Sequence, residues 1–91
     1  METRLSTQLD LNNINFHTTS LCIQGREIKD YSVLLNLKKL TKLELVSTKY
    51  FDFSIIENLT NLTSLRLNGI TTITDLNFLE SLTNLTELIL E

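Results

Sequence analysis

The stretch Leu62-Thr63-Ser64-Leu65-Arg66-Leu67 decides the fold, because its leucines occupy the first, fourth and sixth positions of one short segment. The same leucine pattern occurs 22 residues earlier in Leu40–Leu45 and 23 residues later in Leu85–Leu90. A fixed period of this length indicates a solenoid, in which each coil buries its apolar face only by stacking on its neighbours.

Each copy of the pattern predicts one short strand. The last two leucines of a copy are separated by a single residue, so in an extended segment both point to the same side and enter the core. A fourth strand comes from aligning Leu21 and Ile23 with Leu43 and Leu45 of the next coil. Strands stacked at roughly 4.8 Å form a parallel sheet about 15 Å across.

Short helical turns are expected on the opposite side of each coil. Asp30, Asp52 and Asp75 each stand just before a short apolar segment, where a carboxylate can accept hydrogen bonds from unpaired backbone N–H groups. These aspartates look like N-caps of helical turns within Ser32–Asn36, Ser54–Asn58 and Asn77–Ser81. The expected fold class is α/β, a short solenoid with a parallel sheet on its concave side and helical turns on its convex side.

The chain divides at residue 17. Residues 1–17 do not fit the repeat and are predicted to form an N-terminal cap that covers the apolar end of the first coil. Apolar residues alternate with polar ones around Asn12-Asn13, which favours a hairpin because asparagine tolerates the positive φ of tight turns. A short helix over Leu5–Leu9 is the alternative. Residues 18–91 contain three full repeats and a terminal strand.

Two longer motifs carry a family resemblance. Leu59–Leu67 reads LTNLTSLRL, Leu82–Leu90 reads LTNLTELIL, and Ile28–Tyr31 and Ile73–Leu76 each contain an Ile-x-Asp step. These motifs resemble the bacterial, internalin-like class of leucine-rich repeat and are also similar to the phosphatase-regulator type found in eukaryotes. The resemblance extends over roughly residues 18–91. It implies a leucine-rich-repeat solenoid whose partner sits on the concave sheet.

The chain departs from this family at one position of each coil. The family usually has an asparagine three residues after the last strand leucine, and its side chain bonds backbone groups of adjacent coils. Here that position holds Arg26, Thr48 and, depending on where one extra residue falls within Asn68–Thr72, Ile70 or Thr71. Threonine could supply part of that bonding, whereas arginine and isoleucine could not in the same way.

Composition and charge narrow the function. The 91 residues carry a net charge of −3, which gives no general argument for binding nucleic acid or membranes. Residues 1–49 hold seven Lys or Arg against five Asp or Glu, whereas residues 50–91 hold one against six. No apolar segment approaches transmembrane length. A lone cysteine, Cys22, and an N-terminus without a signal-peptide pattern lead us to expect a cytoplasmic protein.

The candidate binding residues are the strand residues that alternate with the core leucines, because they face away from the core. We expect them to form a mixed-charge surface for another protein, with Ser20, Cys22 and Ser64 beside them. The predicted protein-binding residues are Gln24, Lys42, Glu44, Val46, Arg66, Asn68, Glu87, Ile89 and Glu91. A solvated sheet surface with cross-strand pairs such as Glu44–Arg66 is the alternative.

No residue pattern in the sequence predicts catalysis. His17 and Cys22 are five residues apart, but a nucleophilic pair also needs an orienting third group and an oxyanion site, which the sequence does not supply. We therefore expect no enzyme activity, no cofactor, no metal site, and no direct contact with nucleic acid or membrane.

Two polar sets receive a structural interpretation. The only basic cluster in the sequence is interpreted as a solvated edge and consists of Lys38, Lys39, Lys42 and Lys49. Contact with an acidic partner or with phosphates is the alternative. Asn61 and Asn84 begin formal glycosylation sequons, but they belong to the repeat motif and are expected to support the coils.

The last strand motivates an expectation about association. It ends at Glu91 and leaves Leu88 and Leu90 beneath no further coil, so a free strand edge and an apolar face remain. We expect this edge to be buried by a partner or by a second copy in a homodimer; a fragment of a longer array is the alternative. The expected function is a non-enzymatic protein–protein interaction module. The alternative is a small acidic inhibitor of the anti-defence or effector type that blocks a larger enzyme, such as one that binds nucleic acid.

Overall fold

The computed structural model describes residues 2–70, 73 and 75–91. Its strands are β1 (Thr3–Leu5), β2 (Ser20–Gln24), β3 (Lys42–Val46), β4 (Ser64–Asn68) and β5 (Glu87–Leu90). The helical segments between them are the α-helix α1 (Gln8–Asn12) and the 3₁₀ turns Ser32–Asn36, Ile56–Asn58 and Asn77–Leu79. Strands and short helical segments therefore alternate along the chain.

All five strands pair in parallel in one open sheet, in the order β1-β2-β3-β4-β5. Leu43 of β3 lies beside Leu21 on one side and beside Leu65 on the other, so residues one repeat apart are neighbours across the sheet. Leu65 in turn lies beside Leu88 of β5. This is the register that the repeat period predicts, and an α/β chain with one parallel sheet is compatible with a leucine-rich-repeat-like fold.

Alternate strand residues form the core. Leu21, Leu43 and Leu65 are at most 2% exposed. A second buried row beside them consists of Ile23, Leu45 and Leu67. Burying one such side chain stabilises the fold by about 1.5–3 kcal/mol, so these two rows supply much of the driving force for stacking the coils.

Aromatic rings link three successive coils. Ring centroids lie 4.7 Å apart for Tyr31 and Phe51, 5.3 Å apart for Phe51 and Phe53, and 5.0 Å apart for Phe53 and Phe78. Aromatic pairs at these distances add about 0.5–1.5 kcal/mol each beyond the burial of their surface. Because Tyr31, Phe51 and Phe78 come from different coils, the rings hold neighbouring coils in place.

A ladder of threonines joins the coils at the start of the strands. Thr41, Thr63 and Thr86 each donate two hydrogen bonds to the carbonyl of the equivalent threonine one coil earlier, beginning with Thr19. The backbone N–H groups donate at 2.7–2.9 Å and the hydroxyls at 3.1–3.2 Å. The threonine of the repeat motif is thus explained by a bond between coils.

Two asparagines also join neighbouring coils, and each donates from the later coil to the earlier one, as the threonines do. The side-chain amide of Asn61 donates to the carbonyl of Lys38 at 2.8 Å, and that of Asn84 donates to the carbonyl of Thr60 at 3.1 Å. Both sequon asparagines therefore have the structural role expected of them.

The three aspartates close turns. Each accepts a hydrogen bond from the backbone N–H two residues later, at 2.9 Å for Asp30, 3.0 Å for Asp52 and 2.9 Å for Asp75. At Asp30 and Asp52 a serine hydroxyl also donates at 2.7 Å, and this bond, followed by the backbone bond, lowers the pKa of both carboxyls. The predicted acceptor role is confirmed, but the N-cap position is wrong. The residues directly before the 3₁₀ turns are Tyr31, Ile55 and Leu76, and none caps its turn with a side chain.

The N-terminal segment adds a fifth strand that the leucine pattern does not predict. β1 pairs with β2, with Thr3 beside Leu21. Residues 8–12 form α1 rather than the hairpin predicted around Asn12-Asn13. This helix begins three residues later than the alternative predicted over Leu5–Leu9.

Polar side chains fix α1 in this place. The Thr7 hydroxyl accepts from the N–H of Asp10 at 3.1 Å and caps the helix. The Gln8 amide oxygen accepts from the N–H groups of Lys29 and Asp30 at 3.0 Å, and its nitrogen donates to the Asp30 carbonyl at 2.8 Å. These bonds join the segment to the first coil. The division of the chain at residue 17 stays a prediction.

Tight turns follow β3 and β4. Ser47 has a φ of 52° and Gly69, one repeat later, has a φ of 67°. The turns pack closely, because a Cβ added at Gly69 would meet the Ser47 Oγ at 3.0 Å. Glycine adopts this left-handed backbone freely, whereas serine is strained there.

Thr48 does not supply the bonding between coils that its family position suggested. It is only 2% exposed, yet its hydroxyl has no hydrogen-bond partner among the described residues. Thr71, the other threonine considered for that position, lies outside the described residues. So do Thr72, which belongs to the extra-residue segment, and Thr74, which belongs to the Ile-x-Asp step that begins at Ile73.

The sheet ends at β5, which pairs with β4 alone among the described strands. Leu88 and Leu90 occupy core rows but are 40% and 48% exposed, and Leu76 of the preceding coil is 44% exposed. The predicted apolar end of the stack is therefore open.

Candidate protein-binding face

The side of the sheet opposite the core carries the predicted binding residues, because strand residues alternate between the two faces. We call this side the open face. Its first row across the sheet is Arg4, Cys22, Glu44, Arg66 and Ile89. Its other rows are Ser20, Lys42, Ser64 and Glu87, and Gln24, Val46 and Asn68.

The structure brings the nine predicted residues together on this face. The exposed members are Gln24, Lys42, Arg66, Glu87 and Glu91, and the half-buried members are Glu44, Val46, Asn68 and Ile89. Glu91 follows β5 and is held against β4, since its N–H donates to Leu67 at 2.9 Å and Gly69 donates to its carbonyl at 3.0 Å. That these residues bind a partner stays a prediction.

Charges on the open face are arranged around Arg66. Its Nη1 lies 3.7 Å from Glu44 Oε2, and its Nε lies 3.9 Å from Glu91 Oε1. The hydroxyl of Ser64 donates to Glu87 Oε1 at 2.6 Å. Since the Arg66 side chain is 46% exposed, each of its pairs contributes at most about 1 kcal/mol to stability.

Lys42 differs from its neighbours because it has no carboxylate within 4.0 Å among the described residues. It lies between Ser20 and Ser64 in its row, which places an unpaired ammonium near the middle of the face. The depression around it has a volume of about 190 Å³ and reaches Arg66 and Glu87. The open face is thus a shallow surface of mixed charge.

Cys22 was expected to lie exposed beside the binding residues, but it is only 4% exposed. Burial raises the pKa of the Cys22 thiol, and the nearby carboxylate of Glu44 raises it further. A thiol with a raised pKa is a poor nucleophile at neutral pH. The Cys22 sulfur and oxygens of Glu2 and Glu44 lie within 4.8 Å of one another, as metal ligands do. Both carboxylates, however, already face guanidinium groups, Glu2 that of Arg4 at 3.0 Å and Glu44 that of Arg66.

The N-terminal segment contributes residues to the open face that the sequence does not predict. Arg4 of β1 lies beside Cys22 of β2, and Glu2, which precedes β1, lines the depression on this face. Their only sequence signal is the alternation of Thr3, Arg4 and Leu5, which is too short to indicate a strand.

The predicted basic cluster is divided between surfaces, which corrects that expectation. Lys42 lies on the open face, whereas Lys49 lines a cleft of about 390 Å³ formed by the turns that follow β2, β3 and β4. The ammonium groups of Lys29 and Lys49 each lie 5.5 Å from the ring centroid of Tyr50. We call this the coil-end cleft, lined by Arg26, Glu27, Ser47, Thr48, Lys49, Tyr50 and Gly69. The sequence could have predicted this cleft from the repeat period, because residues about 22 positions apart become neighbours when coils stack.

No described helix is both long and apolar enough to cross a membrane. No protein-family model matches the chain, and no curated protein matches it. The assignment to a leucine-rich-repeat-like fold therefore rests on the repeated motifs and on the five parallel strands with which they are compatible.

Proposed function

We propose that this protein is a non-enzymatic binding module of the leucine-rich-repeat type, internalin-like or phosphatase-regulator-like in its motifs, and that it binds another protein through the open face. The observation that carries the proposal is the ordered charge pattern of that face. Arg66 stands between Glu44 and Glu91, and Lys42 has no carboxylate within 4.0 Å among the described residues. A partner with complementary charges would gain orientation and speed of association from such a pattern.

The shape of the open face favours a protein over a small molecule. Its depression of about 190 Å³ is smaller than ordinary ligand pockets, which hold roughly 300–1,000 Å³. Half-buried Val46 and Ile89 offer apolar surface among polar neighbours, and protein interfaces commonly combine an apolar centre with a polar rim.

The test compares a variant of the open face with a matched control. Lys42→Glu with Arg66→Glu reverses two charges on the face, and Lys38→Glu with Lys39→Glu reverses two charges outside it. Equal thermal midpoints would first establish that both variants fold. Immobilised wild type and the control should then capture the same protein from an extract of the native host, and the face variant should not. Equal capture by all three would contradict the proposal.

The edge of β5 supports a second binding mode, in which a strand of a partner or of a second copy extends the sheet. Leu88 and Leu90 are about half exposed there, and an unpaired strand edge is a ready template for another strand. Light scattering coupled to size exclusion should show a dimer at tens of micromolar if the second copy is the occupant. A strictly monomeric mass would rule out the homodimer.

An acidic inhibitor is the second candidate function, and one feature favours it. Residues 67–91 contain four carboxylates and no Lys or Arg, so this part of the chain could compete for a basic groove of an enzyme. Binding of the captured partner should then weaken steeply as salt rises, because screening acts on exposed charges. Affinity that hardly changes with salt would favour the apolar edge instead.

A further inference from the structure

The coil-end cleft has no part in the function proposed above, and it differs in charge from the rest of the protein. Arg26 and Lys49 line it, and the Lys29 ammonium lies 5.5 Å from the ring centroid of Tyr50, another lining residue. None of these three cations has a carboxylate within 4.0 Å among the described residues. The one carboxylate in its lining is that of Glu27, so the surroundings are positive in a chain whose net charge is −3.

The turn after β3 also offers hydrogen-bond donors. The backbone N–H groups of Thr48, Lys49 and Tyr50 donate no hydrogen bond to any residue that the structure describes. The left-handed residue Ser47 begins this turn. Successive N–H groups beside a left-handed residue form concave sites that suit anions.

The buried hydroxyl of Thr48 is not open to the cleft. Its Oγ1 lies against the hydroxyl of Tyr31 without a hydrogen bond of good geometry. Two features therefore meet in one cleft, namely cations without a carboxylate within 4.0 Å and N–H groups without an acceptor among the described residues.

We propose that the coil-end cleft binds a doubly charged oxyanion of the phosphate class, either inorganic phosphate or a phosphate monoester. Arg26 and Lys49 of the lining, with the Lys29 ammonium near the Tyr50 ring, outnumber the one carboxylate, and a phosphate balances this positive charge better than a monocarboxylate does. The guanidinium of Arg26 can donate to two phosphate oxygens at once, and Lys49 supplies a point charge. A volume of about 390 Å³ leaves room for the organic part of a small ester.

The first experiment is a titration of the ¹⁵N-labelled protein followed by its amide resonances, at neutral pH and constant ionic strength. Sodium phosphate and O-phosphoserine are the probes, and sodium acetate is the control. We expect saturable shifts at Thr48, Lys49 and Tyr50 with a phosphate probe and none with acetate. Saturation with inorganic phosphate or only with phosphoserine identifies the source. No saturable shift with either probe, or equal shifts with acetate, would overturn the proposal.

The second experiment separates a built site from general charge attraction. Lys49→Gln should weaken phosphate binding by about three- to tenfold, the usual effect of one charge-assisted hydrogen bond. Lys38→Gln removes the same charge away from the cleft and should have no effect, whereas Glu27→Gln should tighten binding by about threefold. Equal effects of Lys49→Gln and Lys38→Gln would sink the proposal.

Discussion

Glu44 and Arg66 stand directly opposite one another on neighbouring parallel strands, with Arg66 Nη1 3.7 Å from Glu44 Oε2. Water reaches both side chains, so the pair should contribute only about 0.2–1 kcal/mol. A double-mutant cycle with Glu44→Ala and Arg66→Ala, measured by urea unfolding, should give a coupling in that range. The coupling free energy should shrink as the salt concentration rises. A coupling free energy that does not depend on salt would show that the contact is not electrostatic.

Leu65→Ala tests which side of β4 faces the core. Leu65 is fully buried, so its truncation should lower the free energy of unfolding by about 2–5 kcal/mol. Arg66→Ala, one residue later on the same strand, should leave this free energy nearly unchanged. Thermal midpoints that fall equally in the two variants would reverse the assignment of the two faces.

Ser47→Gly should stabilise the protein. The φ of 52° costs a residue with a Cβ about 1–2 kcal/mol, and glycine avoids that cost, although part of the gain is offset by its freer unfolded chain. Gly69→Ala should have the opposite effect, because its φ is 67° and a Cβ would meet the Ser47 Oγ at 3.0 Å. Urea midpoints that move in the same direction for both variants would contradict this account.

Asp52 should make stability fall in acid. Hydrogen bonds from Ser54 lower the pKa of Asp52 in the folded state, so the stabilisation is present above its unfolded pKa of about 4. It is lost as pH falls through the lower folded value. Asp52→Asn removes this dependence, and unfolding curves recorded from neutral to strongly acidic pH should therefore be flatter for the variant. Parallel curves would show that these bonds are not formed in solution.

Tyr31 should make stability fall in alkali. Burial raises the pKa of Tyr31 to about 12, and the Thr48 hydroxyl beside it acts in the opposite direction without forming a hydrogen bond of good geometry. The folded state favours the neutral phenol. Its contribution to the free energy of unfolding is therefore complete below the unfolded-state pKa of about 10, and it is lost as pH rises toward the folded-state pKa. Tyr31→Phe should abolish this loss and keep neutral-pH stability, because it removes a buried hydroxyl without a partner. An alkaline transition that is the same in both proteins would contradict the assignment.

Repetition made the middle of the fold predictable from the sequence. A leucine pattern that recurs every 22 or 23 residues places Leu43 beside Leu65, and the strands obey that register. Single features were harder to predict. β1 has only three residues and no leucine pattern of its own, and its pairing with β2 is stabilised by contacts that are distant in sequence.

Neighbours in space explain the errors at the candidate sites. Cys22 follows the alternation that predicts an exposed side chain, but Glu2 and Glu44 lie against it and it is buried. Sequence proximity groups Lys49 with Lys38, Lys39 and Lys42, whereas the structure places both Lys49 and Lys29 5.5 Å from the ring of Tyr50. In this parallel sheet, charged residues about one repeat apart lie closer together than many that are near one another in sequence.

The threonine ladder ends on a strand that buries little apolar surface. Its last rung joins Thr86 to Thr63. The strand that follows leaves Leu88 and Leu90 40% and 48% exposed, whereas Leu21 and Ile23 of β2 are almost fully buried. Detaching the last strand therefore exposes less apolar surface than detaching β2. Unravelling should proceed from the later coils toward the earlier ones, and hydrogen exchange should report progressively faster opening toward β5.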